Sequence, residues 1–329
     1  MRQTVDVAMS VYGKPYQTAA TLASLLHHSG QHIGTIWFQE ELEQPYGANV
    51  GGLPALFPGR NFNVFRPHLH LGYSHVRPEQ LKEERDRHSI RYQVAWERTD
   101  KDYLFICHND TLYTSDTVGG MIERLSTGVY TGVGWVGQCW NCPAHAAGVC
   151  DGDRYETYRP TYEEALAVVA AHPKPRTLVE AIDRGQPAPL PECRLNEFGC
   201  LINLRKCRQD TMPFGPALPF GHFDLDVGTE WFGSLTRRGH RFLNWYDGMN
   251  HALFADGAGH PSNTNAERYT LGETRARAYL AEHFSDLVRL IDQPAPRALS
   301  AWDVLRSPPV SPNPKRRRWY DSLLGRIRD

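Results

Sequence analysis

Apolar positions along this chain fall into short blocks whose period changes from block to block. Thr4–Tyr12 is mostly apolar and turns polar at Ser10, which predicts a buried strand. Gly13-Lys-Pro15 reads as a turn, and Thr18–His28 carries Ala19, Leu22, Leu25 and Leu26 at helical spacing. Ile33–Phe38 supplies a second strand, running out into Gln39-Glu-Glu41. A strand, helix and strand of these lengths predict parallel pairing with a right-handed crossover.

Leu42–Pro67 is rich in Gly, Pro and Asn and reads as irregular chain closed by a short strand, Phe62–Phe65. Gln80–Arg98 predicts a helix, charged at first and then apolar on one face. The sharpest transition is Tyr103–Asp110, where Leu104-Phe-Ile-Cys107 gives way at once to His108-Asn-Asp110. It describes a buried strand that surfaces with polar groups at its carboxyl end, the edge at which open α/β sheets bind ligands. Further helices are expected at Ser115–Leu125, Tyr162–Ala171 and Glu267–Ile291, and further strands at Tyr130–Val136 and Arg241–Trp245. The pattern is that of an α/β protein with a mixed, mostly parallel sheet flanked by helices.

With 329 residues the chain can bury one large α/β core or two smaller ones. Its net charge of −1 hides a strongly basic end, but the composition as a whole shows no nucleic-acid signature. No run of about eighteen apolar residues and no leader-like start occur, so a cytoplasmic protein without a membrane span is expected. The end, Lys315–Arg328, joins basic residues to Trp319, Leu323, Leu324 and Ile327. That combination suits peripheral contact with an anionic membrane face, docking on the protein itself, or nucleic acid. Histidines 68, 70, 75 and 88 lack metal-helix spacing and read as loop or surface residues.

Seven cysteines, an odd number in a chain this long, point to reduced thiols or a metal site rather than a disulfide framework. Cys139-x-x-Cys142, followed by Cys150 and Cys193, offers a tetrahedral set for structural Zn²⁺. Cys200 and Cys207 compete as ligands, and buried free thiols are the alternative.

The order of these features resembles glycosyltransferase family 2, whose GT-A fold opens on a strand, a Tyr-containing loop and a helix with Leu-x-Ser-Leu, here Leu22-Ala-Ser-Leu25. Asp110 stands where that family's Asp-x-Asp follows a buried strand, with His108 in place of the first acid. The likeness covers roughly residues 4 to 255. It implies one GT-A domain over 1–255 with a Cys-containing insertion near 137–200, a helical extension over 256–292, and a linker with a basic tail over 293–329.

By that resemblance Ser10, Tyr12, Glu40, Arg91 and Asn109 contact the nucleotide-sugar donor. Asp110 is a metal ligand, and His251 occupies the place of a late histidine on the metal or diphosphate. His108 is either a further ligand or a phosphate contact. Mg²⁺ and Mn²⁺ both suit a carboxylate, and Mn²⁺ also accepts imidazole. Gly228-Thr-Glu-Trp231 matches the segment that supplies the general base, making Glu230 the first candidate and Asp226 the second. Arg194, Asn196, Glu197 and Trp231 are implied to line the acceptor site. The implied reaction is metal-assisted, inverting transfer of a sugar from a nucleotide diphosphate to a glycan, a lipid-linked glycan or another hydroxyl. A sugar nucleotidyltransferase and a noncatalytic nucleotide-sugar-binding module are the alternatives.

Overall fold

Strand β1 (Val5–Val11) is buried along its whole length, and helix α1 (Pro15–Ser29) carries the chain back so that β2 (Ile33–Glu40) lies parallel to it. The computed structural model describes residues 5–69, 78–175, 177–255 and 265–292, nearly all within one compact unit. His70, His75 and the basic tail lie outside the described residues.

Strand β3 (Asn61–Phe65) adds to β2, and β4 (Tyr103–His108) pairs with the other side of β1, all four strands running parallel. After β4 come β5 (Thr111–Tyr113), α4 (Thr117–Ser126) and β6 (Gly132–Val136). Strand β7 (Leu195–Asn203) then enters between β4 and β6 and runs antiparallel to both. With β8 (Phe242–Asn244) on β6, the seven-stranded order is β3-β2-β1-β4-β7-β6-β8. A two-stranded ribbon joins β5 to β9 (Met249–His251).

The reversed strand matters for the site. Parallel strands deliver their last residues to the sheet's carboxyl edge, whereas β7 delivers its first ones, Asn196 and Glu197, to the same edge. Nothing in its composition set Leu195–Asn203 apart as a strand, yet every residue of it is buried.

Two predicted helices are broken. Gln80–Arg98 divides into a short 3-10 turn, α2 (Glu84–Arg87) and α3 (Gln93–Arg98): Glu83 is extended (ψ 119°) before α2, and Tyr92 takes a left-handed conformation, φ 66°, before α3. L-residues do not continue a right-handed helix from there, and the turn sends the Tyr92 ring inward. His88, expected at the surface, is buried beside Glu97, with Nε2 3.1 Å from Oε2. Glu267–Ile291 divides at Phe284 (φ −145°, ψ 53°). The remaining helices are α5 (Pro143–Ala146), α6 (Tyr162–Ala171), α7 (Leu204–Cys207), α8 (Thr229–Arg237), α9 (Ala266–His283) and α10 (Ser285–Asp292). None of the described helices is long and apolar enough to cross a membrane.

Alternation along the strands builds a core on each face of the sheet. Val5, Val7 and Met9 pack with α1, α4 and α9, while Ala8, Leu104 and Ile106 pack with α3 and α8. Trp231 belongs to that second core. It is fully buried among Trp96, Phe220 and Phe242, and its indole N–H donates to Thr211 Oγ1 at 3.0 Å. This corrects its expected place in an acceptor site, since the apolar face of α8 takes it away from solvent.

Gly134 shows how closely β6 and β7 approach. A Cβ there would lie 2.7 Å from Cys200 Cβ and 3.0 Å from Gly199 O, neither of which can swing aside. Gly134→Ala is therefore expected to lower stability by about 1–3 kcal/mol, read as a lower urea midpoint at unchanged slope.

Candidate active site

Asp110 sits just beyond β4, with its side chain almost wholly buried. Its Oδ2 accepts a hydrogen bond from Lys14 Nζ at 2.7 Å. Lys14 reaches it because Gly13 and Lys14 both take left-handed conformations, φ 66° and 59°. The Lys14 amide is held by the Tyr269 hydroxyl at 2.8 Å. Next to it, the first amides of α1, which lack a local side-chain cap, donate to Glu273 of α9: Tyr16 N at 2.9 Å and Gln17 N at 3.3 Å.

The other oxygen, Asp110 Oδ1, is buried without a hydrogen-bond partner. It faces His251 Nε2 at 3.4 Å and His108 Nδ1 at 3.7 Å, and those two nitrogens are 3.1 Å apart. The three donor atoms lie within 4.8 Å of one another, which among the described residues is the one such group. His251 arrives through the ribbon, where Thr111 pairs with it directly. An orphaned carboxylate oxygen and two converging imidazole nitrogens fit a divalent cation that accepts nitrogen as well as oxygen ligands. Burial alone would raise the Asp110 carboxyl, but Lys14, His251 and His108 outweigh it and hold it well below the usual carboxylate range.

Glu197 supports this group from β7. Its Oε1 lies 3.1 Å from His108 Nε2, which fixes the ring, and its Oε2 accepts from the Tyr92 hydroxyl at 2.8 Å. Burial raises this carboxyl too, and His108, Arg91 and Arg194 overcome that and keep it below its ordinary range. Arg194 Nη1 lies 4.0 Å from Glu197 Oε1 and 3.2 Å from Asp226 Oδ1, and donates to Val227 O at 2.7 Å. Asp226 Oδ2 accepts from Gln138 Nε2 at 2.9 Å. A continuous polar network thus runs from the histidines to Asp226.

Glu230 stands apart from it in the first turn of α8, accepting the Leu225 amide at 2.7 Å while Oε2 is buried without a hydrogen-bond partner. Burial pushes its carboxyl up from 4.5 to about 7. A raised carboxyl binds its proton more tightly in the folded chain, so it costs nothing below its ordinary value and progressively more as pH climbs to 7. Glu230→Gln, which keeps the oxygen for Leu225, is expected to stabilise the protein by up to about 3 kcal/mol at pH 8 and little at pH 4. Melting temperatures across that range check it.

At the ends of β1 and β2, the Ser10 hydroxyl donates to Glu41 Oε1 at 2.6 Å, and Arg91 Nε lies 3.5 Å from the same oxygen. Glu40, one residue earlier, turns the other way into a two-pronged pair with Arg66, at 2.8 and 3.0 Å. Tyr12 is half-buried just past β1. Asn109 donates its amide N–H groups to Gly13 O and Thr18 Oγ1, tying down the turn that carries Lys14. Asn196 likewise spends its amide on Trp135 O and Gly137 O. Both amide nitrogens thus hold backbone in place, while Asn196 Oδ1 is buried without a hydrogen-bond partner.

Lys14 and Glu41 were not among the residues singled out from the sequence. Lys14 stood in the predicted turn after the first strand, and its charge at that place was the available signal. For Glu41 the signal was ambiguous, because adjacent acids at a strand end face opposite sides.

Aromatic rings continue outward from His251. Phe198 stacks on it at 4.6 Å, Trp135 meets Phe198 edge-on at 5.5 Å, and Tyr246 stacks on Trp135 at 4.5 Å. Trp140, 54% exposed, closes the shelf edge-on to Trp135.

No protein-family model matches the chain, and no curated protein matches it. Solved structures do. The mannosyltransferase PcManGT from Pyrobaculum calidifontis, solved with GDP-Man and Mn²⁺, is 13% identical with a TM-score of 0.43, over 90% of this chain and 66% of that one. Residues 1–349 of S. aureus TarS are 11% identical with a TM-score of 0.29, over 40% of this chain and 34% of that one. TarS has also been solved with UDP-GlcNAc. The chain therefore spans just under two thirds of the mannosyltransferase and about a third of the TarS fragment. The fold class is the expected one, a mixed, mainly parallel sheet flanked by helices.

Proposed function

We propose that this chain transfers a sugar from a nucleotide-diphosphate donor to an acceptor hydroxyl. The observation that carries the reading is the buried Asp110, whose partnerless Oδ1 faces His108 and His251 at the carboxyl edge of a parallel sheet. A divalent ion held by these three residues, Mn²⁺ rather than Mg²⁺ because two donors are imidazoles, would supply positive charge to the departing diphosphate. The neighbouring solved mannosyltransferase was obtained with Mn²⁺, consistent with this choice.

Lys14 adds a second, covalently attached cation beside the same carboxylate. Ser10, Glu41 and Arg91 form the polar rim suited to the nucleoside. Asp226 acts as general base: it takes the acceptor's proton as that oxygen forms a bond to the anomeric carbon, while the bond from carbon to diphosphate oxygen breaks on the opposite face. Asp226 is preferred to Glu230 because Arg194 joins it to the histidine group and Gln138 fixes its second oxygen. Arg194 and Glu197 hold that side of the crevice in place.

A glycan acceptor fits best, since the Trp135–Tyr246 shelf offers flat apolar faces to a sugar ring beside polar groups. Trp135→Ala is expected to raise the acceptor KM about tenfold while slow hydrolysis of the donor alone continues, a difference of about 1.4 kcal/mol in acceptor binding. The deciding experiment is a thermal-shift screen of the full chain against GDP- and UDP-sugars with and without Mn²⁺, followed by product analysis with the stabilising donor. Metal-dependent stabilisation by one nucleotide class and release of its diphosphate support the reading. Absence of both at millimolar ligand overturns it.

A further inference from the structure

Away from the histidine group, four thiols from three stretches of chain line one void. Cys139 and Cys142 lie in the loop after β6, Cys150 follows α5, and Cys193 precedes β7. With Gly137, Gln138, His145 and Asp151 they line a cavity of about 10 Å³, room for a single water-sized sphere. None is in a disulfide. The other three cysteines are buried elsewhere, Cys107 in β4, Cys200 in β7 and Cys207 in α7, where its thiol meets Asn203 O.

Several features mark these thiols as more than filler. Cys142 immediately precedes α5; burial pushes its thiol up and the amides of His145 and Ala144 act against that, while burial and Cys142 push Cys139 up against the amide of Gly152. Amide donors aimed at sulfur favour thiolate over thiol. Burial first, and then Cys150, Cys142 and Cys139 together, push the Cys193 thiol up, so the four share one electrostatic neighbourhood. Gly137 has φ 88°, and a Cβ on it would lie 3.1 Å from Cys139 Sγ and 4.0 Å from Cys193 Sγ, so the backbone crosses directly over two of the sulfurs. Between β6 and α6 the regular structure is only the two single turns Cys139–Asn141 and Pro143–Ala146. Such a loop gains much from a cross-link.

We propose that Cys139, Cys142, Cys150 and Cys193 bind one Zn²⁺ as a closed tetrathiolate that fixes the loop after β6. Each thiol gives up its proton on binding. Unlike the donors of His108, Asp110 and His251, no three of these sulfurs lie within 4.8 Å of one another, so binding requires the thiols to rotate inward onto the ion. The same loop carries Gln138, which holds Asp226, and Trp140 of the aromatic shelf. The centre therefore sets acceptor-side geometry without entering the chemistry, and it stands whether or not the proposed transfer does.

The test uses the full chain prepared under reducing conditions, loaded with ZnSO₄ and passed over chelating resin. One Zn²⁺ per chain is expected to remain, to be released in step with mercurial titration of four thiols, to persist in Asp110→Ala, and to be lost in Cys142→Ser and Cys193→Ser. Co²⁺ in its place is expected to give thiolate-to-metal charge-transfer bands. The mercurial and Co²⁺ measurements need no variant to fold. Zinc that leaves with Asp110→Ala and survives the cysteine substitutions, zinc absent from wild type, or a disulfide formed by the reduced protein's cysteines under zinc would each overturn the proposal.

Discussion

Asp110→Asn is expected to abolish metal-stimulated transfer, lowering kcat/KM by about 10³-fold or more, the equivalent of several kcal/mol of lost charge stabilisation. The substitution does two things that must be separated. It removes the anionic donor between His108 and His251, and it strips the buried Lys14 ammonium of its partner at 2.7 Å. Leaving one member of a buried pair alone costs about 3–5 kcal/mol, whereas replacing both members by neutral groups is often close to neutral. The single variant should therefore melt well below wild type, and the double variant Lys14→Met/Asp110→Asn should recover most of that loss. Neither should be stabilised by Mn²⁺. If the double variant folded, bound Mn²⁺ and kept activity, the histidine group would not be the metal centre.

Asp226→Asn should lower kcat by about 10²- to 10⁴-fold with the donor still bound, because a carboxamide keeps the shape and one acceptor oxygen for Arg194 but takes no proton. Burial raises the Asp226 carboxyl, yet Arg194 chiefly, with Gln138 and the Val227 amide, brings it below its ordinary value. It is thus ionised throughout the neutral range, and its titration should appear only as an acid limb in kcat/KM. Glu230→Gln gives the contrast: a more stable enzyme at pH 8 whose chemistry persists. A reversed result, with an inactive Glu230→Gln and an active Asp226→Asn, would move the base to α8 and give the loss of a limb near pH 7 its explanation.

The first half of this architecture was legible because its signals are local. An unbroken apolar run ending in polar residues identified β4, and a change of period separated β1, α1 and β2. What stayed hidden depends on distant partners. Strand β7 carries Asn196 and Glu197 at buried positions, where Trp135 O and Gly137 O accept from the Asn196 amide and His108 and Tyr92 pair with Glu197. Tyr92, where the predicted helix breaks, likewise donates its hydroxyl to Glu197, more than a hundred residues away. The convergence of Asp110, His108 and His251 follows residues whose type and order had singled them out. Lys14 was not, because its reach requires a left-handed backbone that sequence pattern does not report.

The insertion of β7 between β4 and β6 has a consequence for synthesis. A chain leaving the ribosome completes β4 and β6 long before the strand that separates them, whose partners in β4 lie up to a hundred residues earlier. Until then both strands present bare edges, the kind of surface on which nascent chains associate with one another. Transcripts cut short before Leu195 should therefore yield aggregates rather than a smaller folded product, and late, non-local closure of the sheet should set the pace of maturation.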